Sequence, residues 1–392
     1  MLKRSLKNLV KYFRFLYIIY FYIGSSAVRF LRLFVRRQEQ MILFVSFGGK
    51  KYDDSPRAIY EYMLRDKRFE NFRFVWAFET PERYELPDAV VIPIDTLMYY
   101  RYALRAAYWI TNSGIERGLS FKRKSTFLLN TWHGTPIKRI GKDALNARDS
   151  YGILSSYKED VMLAQGDYEA DIFSHAFGID RDKYAVIGLP RNDELVNRTR
   201  ELQLAKRELL GIPEGKTVIL YAPTFREYER DSRHRITLAP PIHFKKWQEV
   251  LGDNYLILFR AHYEVAKVLN ILVDDPFVRD VSDYPKLNDL IIASDMLVSD
   301  YSSIFFDYSI QEKPMFCFAY DYEKYKDTRG LYFDLAKEIP GGIIETENQL
   351  LQAFEKADKE DNIRATIAFR EKFIDKYGTA SKQAAEIILR NS

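Results

Sequence analysis

Four short polar segments follow apolar runs in this chain, and their residue types suit phosphate and proton chemistry. His133-Gly134-Thr135 follows Phe127-Leu128-Leu129, and Thr224 with Arg226 follows TVILYAP (217–223). Arg260-Ala261-His262 follows YLILF (255–259), and Ser302-Ser303 follows MLVS (296–299). A histidine can take or give a proton near neutral pH. Gly134 lets a backbone approach a ligand closely, Thr135 offers a hydroxyl, and Pro136 can open a helix whose first amides face the same space. Arginines after strands, here Arg191, Arg226 and Arg260, can clamp a diphosphate. His262 can donate to a phosphate or to a leaving group. Ser302 or Asp300 can cap a helix through about Ile310, leaving amides for an anion, and Asp307 on that helix can accept from a polyol hydroxyl.

Each residue also has a plainer reading. His133 can be packed beside Trp132 with its nitrogens satisfied, each arginine can form a surface salt bridge, and the serines can be simple caps. Convergence separates the two readings, because in open α/β sheets ligands bind beyond the carboxyl ends of the strands. Four such tips make a shared site the better expectation.

The elements that must position these tips are legible as apolar runs alternating with helices. MILFVSF (41–47), FRFVWAF (72–78), VVIPI (90–94), Tyr108–Thr111 and FLLN read as strands. Ser55-Pro56 opens a helix to about Arg65, with serine as cap, and Thr96–Ala107 reads as another helix. A second series runs YAVIG (184–188), TVILYAP, YLILF, MLVS and MFCFAY (315–320). The fold class expected is α/β, with two Rossmann-like domains facing each other across a cleft. Their expected bounds are 41–184 and 185–375, with a carboxy-terminal helix over 376–392. Asn348 to the end reads as two or three amphipathic helices that can cross back over the first domain. Arg230–Pro241 reads as a mobile loop.

A chain of 392 residues exceeds the size of one core, which supports two domains. Its single Cys317 lies in an apolar run and fits a reducing compartment. The net charge of +4 hides an asymmetry. Residues 1–38 carry nine Lys or Arg and no acid, leaving 50 basic against 55 acidic residues in the body. A basic arm on a mildly acidic body argues against a nucleic-acid protein and for an arm with its own partner. Within the arm Phe15–Val28 is uncharged but only 14 residues long, short of the ~20 that span a bilayer. Lys3, Lys7, Lys11 and Arg14 before it, and Arg29, Arg32 and Arg36 after it, recur at helical spacing. That pattern suits a helix lying at an anionic membrane surface. The rival readings are a secretory signal ending at Gly24-Ser25-Ser26-Ala27 and an ordinary packed helix.

Other chemistries find little footing. The sequence has no Walker-type or G-x-G-x-x-G loop. Histidines 133, 175, 234, 243 and 262 lack metal-ligand spacing, and Asp180-Arg181-Asp182 reads as a turn rather than a metal site.

WHGTPIK, GLPRND, YAPTFR, FRAH and SDYSSIFFD, in this order and spacing, resemble the CDP-glycerol glycerophosphotransferases of wall teichoic acid synthesis. The resemblance covers about Met41 to Gly342. It implies a GT-B-like fold, transfer without metal or cofactor, and peripheral attachment to the cytoplasmic side of the cell membrane. Its implied partners are the CDP-glycerol donor, a lipid-linked saccharide or glycerol phosphate acceptor, and the anionic membrane surface; a homo-oligomer is compatible with it. By motif, His133 and His262 are the implied catalytic residues. His133, Gly134, Thr135, Pro136, Ile137, Arg191, Pro223, Thr224, Arg260, Ala261, His262, Ser302, Ser303 and Asp307 are the implied donor contacts. A CDP-ribitol transferase, a nucleotide-sugar glycosyltransferase of the same fold and a non-catalytic partner in polymer export stay open at this point.

Overall fold

A computed structural model describes residues 14–145, 158–224, 226, 240–261, 275–356 and 359–392. His262 and nearly all of the loop expected at Arg230–Pro241 lie outside the described residues. The chain divides into two compact units. Of the described residues, 14–133, 158–193 and 379–392 form the first unit, and 134–145 with 194–378 form the second.

The first unit is built on a seven-stranded parallel sheet ordered β3-β2-β1-β4-β5-β6-β7. Its strands are β1 (Gln38–Val45), β2 (Arg73–Phe78), β3 (Ala89–Pro93), β4 (Ala106–Thr111), β5 (Phe127–Asn130), β6 (Val161–Ala164) and β7 (Tyr184–Val186). Alternation along β1 explains its unbroken apolar run. Met41, Leu43 and Val45 enter one core, shared with the inner face of the arm and the helix Leu97–Arg105. Ile42 and Phe44 enter the opposite core with Ile59, Tyr60 and Met63. Ala384, Ala385 and Ile388 of the carboxy-terminal helix Ala380–Arg390 close that second core. A strand covered on both faces needs apolar residues at every position.

The second unit carries a six-stranded parallel sheet ordered β10-β9-β8-β11-β12-β13. These strands are β8 (Thr217–Ala222), β9 (Tyr255–Phe259), β10 (Val278–Asp280), β11 (Met296–Ser299), β12 (Met315–Phe318) and β13 (Ile343–Ile344). Ile219, Tyr221, Ile257 and Val298 pack with Trp247 and Phe354 from the covering helices. Two parallel Rossmann-like sheets match the strand–helix alternation, and they are the GT-B-like architecture that the resemblance implied.

Three local expectations change. YAVIG closes the first sheet, because β7 pairs with β6 through Met162, Leu163 and Ala164, and does not open the second series. The helix after β1 runs Asp54–Met63, with Asp53 and not Ser55 at its cap. No helix follows Pro136, whose neighbours find distant backbone partners instead. Tyr332 N donates to Ile137 O at 2.9 Å, and Arg139 N donates to Gly330 O at 3.1 Å, within the second unit.

The arm is the helix Arg14–Leu31, followed by a 3-10 turn at Arg32–Phe34. Tyr17, Phe21, Ser25 and Val28 recur on one helical face and are buried. Phe15, Ile19, Tyr22, Ile23, Phe30, Leu33 and Phe34 are exposed. The stretch Phe15–Phe34 is long and apolar enough to cross a membrane. Its buried face is nevertheless docked on the first unit: Ser120 N donates to Ser25 Oγ at 2.9 Å, and Arg29 Nε donates to Ser120 O at 2.8 Å. One apolar face is left outward, which makes the helix a peripheral membrane attachment lying at the surface.

Candidate active site

In the first unit the tips of β1, β4 and β5 meet around His133. The imidazole is exposed at its edge and stacks on Trp132, centroids 4.2 Å apart at 28°. Trp132 in turn packs on Phe177 at 4.6 Å and Phe173 at 5.7 Å. Phe47, from the turn after β1, lies 5.9 Å from the His133 ring. His133 Nδ1 is 2.9 Å from the carbonyl oxygen of Asn112. A carbonyl only accepts, so Nδ1 carries the hydrogen and a neutral ring keeps its lone pair on Nε2.

The backbone under His133 is held by buried amides. Asn112 Oδ1 accepts from Phe47 N at 2.7 Å, and Asn130 Oδ1 accepts from Trp132 N at 2.9 Å. Asn130 Nδ2 donates to Glu159 Oε1 at 3.0 Å. Burial raises the Glu159 carboxyl above its ordinary pKa, against the hydrogen bond from Asn130. Trp132 itself sits at φ 50°, an uncommon conformation for a bulky residue, and these bonds hold it there.

Arg191 belongs to this unit. Its Nη1 donates to His133 O at 2.7 Å and lies 3.1 Å from Asp54 Oδ2, with both side chains largely buried. The arginine therefore braces the histidine's own backbone.

In the second unit the tips of β8, β11 and β12 converge on Arg226. Its guanidinium is 2% exposed and ion-paired to Asp300 at 2.9 Å and to Asp321 at 2.7 Å. Tyr301, Tyr320 and Tyr325 surround it, ring centroids 4.9, 5.0 and 5.2 Å away. Burial alone would lower the Arg226 pKa, but the two carboxylates outweigh it and raise it further. This buried, paired cation is not a diphosphate clamp, which corrects the expectation for Arg226. Asp300 accepts from Thr224 N at 2.8 Å and from Tyr301 N at 2.7 Å. That arrangement also corrects its expected role as a helix cap.

The helix after β11 is the short Ile304–Ser309, with Ser303 at its cap position and Ser302 Oγ accepting from Ile304 N at 3.3 Å. Asp307 was expected on an open helix face and is buried at 3% exposure. The Oγ1 of Thr224 is buried without a hydrogen-bond partner. Arg260 Nη1 donates to Tyr284 O at 2.7 Å and Val281 O at 3.1 Å. Ala261 N donates to Ser282 Oγ at 3.1 Å. Thr135, Pro136 and Ile137 are buried on the second unit. The chain thus passes between units within the histidine motif, at His133-Gly134.

A model of the CDP-glycerol:poly(glycerophosphate) glycerophosphotransferase family matches residues 27–390, nearly the whole chain. The chain belongs to this family. A teichoic acid glycerol-phosphate transferase of Staphylococcus aureus is 32% identical over the full length of both chains. A teichoic acid poly(glycerol phosphate) polymerase of Staphylococcus epidermidis is 36% identical over 81% of this chain, which spans only 46% of that longer relative. The solved structure of the wall teichoic acid polymerase TagF superposes with a TM-score of 0.84 at 31% identity, covering 99% of this chain and 96% of that one.

Family membership makes the chain a glycerophosphotransferase. Sequence reasoning missed Asn112, Asn130, Glu159 and Asp321. Asn112-Ser113 directly follows the apolar strand β4, so this polar tip was there to be found. Glu159 and Asp321 carried no local signal.

Proposed function

We propose that the reaction is a direct displacement at the β-phosphorus of CDP-glycerol, with His133 as the proton acceptor. The chain transfers glycerol phosphate from CDP-glycerol to a lipid-linked wall teichoic acid acceptor, the activity of its family. An acceptor hydroxyl oxygen bonds to the β-phosphorus, and the bond from that phosphorus to the bridging oxygen breaks. CMP leaves with the bridging oxygen, and the hydroxyl proton passes to His133 Nε2. The observation that carries this reading is the Nδ1 hydrogen bond to Asn112 O, which presents a basic Nε2 on an exposed ring edge.

The chain's other residues bind and position. In this reading Thr224, the Ser302-Ser303 tip and Arg260-Ala261 bind the donor phosphates, and the buried, unpartnered Oγ1 of Thr224 supports it. Their task is to balance charge on the phosphoryl group in flight, most of what such a transfer asks of a protein. Gly134 to Ile137 border the same donor, and His262 assists the departing CMP. Arg191 orients His133 through its carbonyl. The apolar face of the arm keeps the enzyme on the cytoplasmic side of the membrane, where the lipid-linked acceptor lies.

The test is CMP release from CDP-glycerol and from CDP-ribitol with a synthetic lipid-linked acceptor. Faster release from CDP-glycerol supports the reading, and turnover confined to CDP-ribitol replaces the donor.

A further inference from the structure

Arg117 is a side chain that joins the segment under the docked arm to the turn packed on His133. The arm's inner face rests on the segment Glu116–Ser120. Gly24 lies so close that a Cβ there would come within 2.8 Å of Leu119 Cδ2. Arg29 Nη2 donates to Ser120 Oγ at 2.8 Å, and Tyr20 OH to Arg117 O at 3.4 Å. From that segment the Arg117 guanidinium reaches toward the site. It grips Asp95 through two bonds of 3.0 Å and donates from Nη1 to Gly48 O at 3.2 Å. Gly48 is the neighbour of Phe47, whose ring lies against His133 and whose amide is bound by Asn112.

The backbone at this junction is unusual. Phe47, Asp95 and Arg117 all have positive φ, at 46°, 60° and 56°. Non-glycine residues hold such conformations only where surrounding bonds over-determine them. Three together, linked by one guanidinium, mark a junction whose shape depends on Arg117 staying in place. A tether alone would need no such fixed connection.

We propose that Arg117 is a positioning residue that transmits the docking of the membrane arm to the loop holding His133. The arm then supports the geometry of the site as well as attaching the enzyme. This rests on the reading of His133 as the reacting histidine.

The experiment uses the full chain, free of membranes, with a water-soluble short-chain acceptor. Arg117→Gln is compared with the double variant Ser25→Ala/Arg29→Ala, which loosens the arm and leaves Arg117 intact. Both should lower kcat roughly ten- to a hundredfold, as small misplacements do, with KM for CDP-glycerol unchanged. Both should also move the imidazole NMR signals of His133, assigned by their loss in His133→Ala. Arg117→Lys should restore part of the rate, which a variant that merely unfolds would not allow. Unchanged kcat and unmoved His133 signals in both variants overturn the proposal. Signals that move while kcat holds leave the coupling standing and overturn His133 as the base.

Discussion

His133 Nδ1 donates to the main-chain oxygen of Asn112 across 2.9 Å, a bond between the ends of two adjacent parallel strands. The acceptor is backbone, and its residue is itself anchored by Phe47 N on Asn112 Oδ1. Nitrogen-15 NMR of labelled histidine at pH 8 should therefore find His133 as the Nδ1–H tautomer. An Nε2–H tautomer would leave no base facing outward.

Arg226 should be essential to the folded second unit. Arg226→Met leaves Asp300 and Asp321 without their cation in a buried place. Losing one partner of a buried pair costs about 3–5 kcal/mol, so urea should unfold this variant at markedly lower concentration. Arg226→Lys should recover only part of the loss, since an ammonium cannot reproduce the fork on Asp321.

Acid should weaken a second joint. Burial alone would raise the Glu312 pKa, but Arg198 and Arg370 outweigh it and hold the carboxyl below its ordinary 4.5. A depressed folded pKa gives stability that is present above the unfolded value and lost as pH falls through the folded one. Glu312→Gln should therefore cost on the order of 1 kcal/mol at pH 7 and close to nothing once wild type is itself protonated. Urea titrations at both pH values read the difference.

The two faces of the arm should separate genetically. Ile23→Asp or Phe30→Asp, on the exposed face, should lower binding to phosphatidylglycerol vesicles about tenfold or more, with the circular dichroism spectrum unchanged. Co-sedimentation measures it, and full binding by the double substitution would remove the arm from the membrane surface.

The strands were legible where burial on both faces forces continuous apolar runs, as in β1 and β8. VMLA of β6 went unread although MLVS of the same length did not, and YAVIG carries no mark of which sheet it joins. Pro136 misled because its segment is satisfied by Gly330 and Tyr332, nearly two hundred residues away. The same distance problem hid the fate of Arg226. The arginine was visible after its strand, but Asp321 lies 95 residues on, and only the fold turns a candidate phosphate clamp into a buried brace. His133 was recognisable from its motif, while the partner that sets its tautomer is a backbone atom with no sequence signature.

Single-turnover release of CMP from CDP-glycerol with a lipid-linked acceptor, compared between wild type and His133→Ala, decides whether His133 takes the acceptor's proton. Mass analysis of the lipid product should show added glycerol phosphate, with one CMP formed per unit transferred. The rate for His133→Ala should fall by about 10²–10⁴, the contribution of a positioned general base. Near wild-type turnover by His133→Ala would take the proton-acceptor role away from His133.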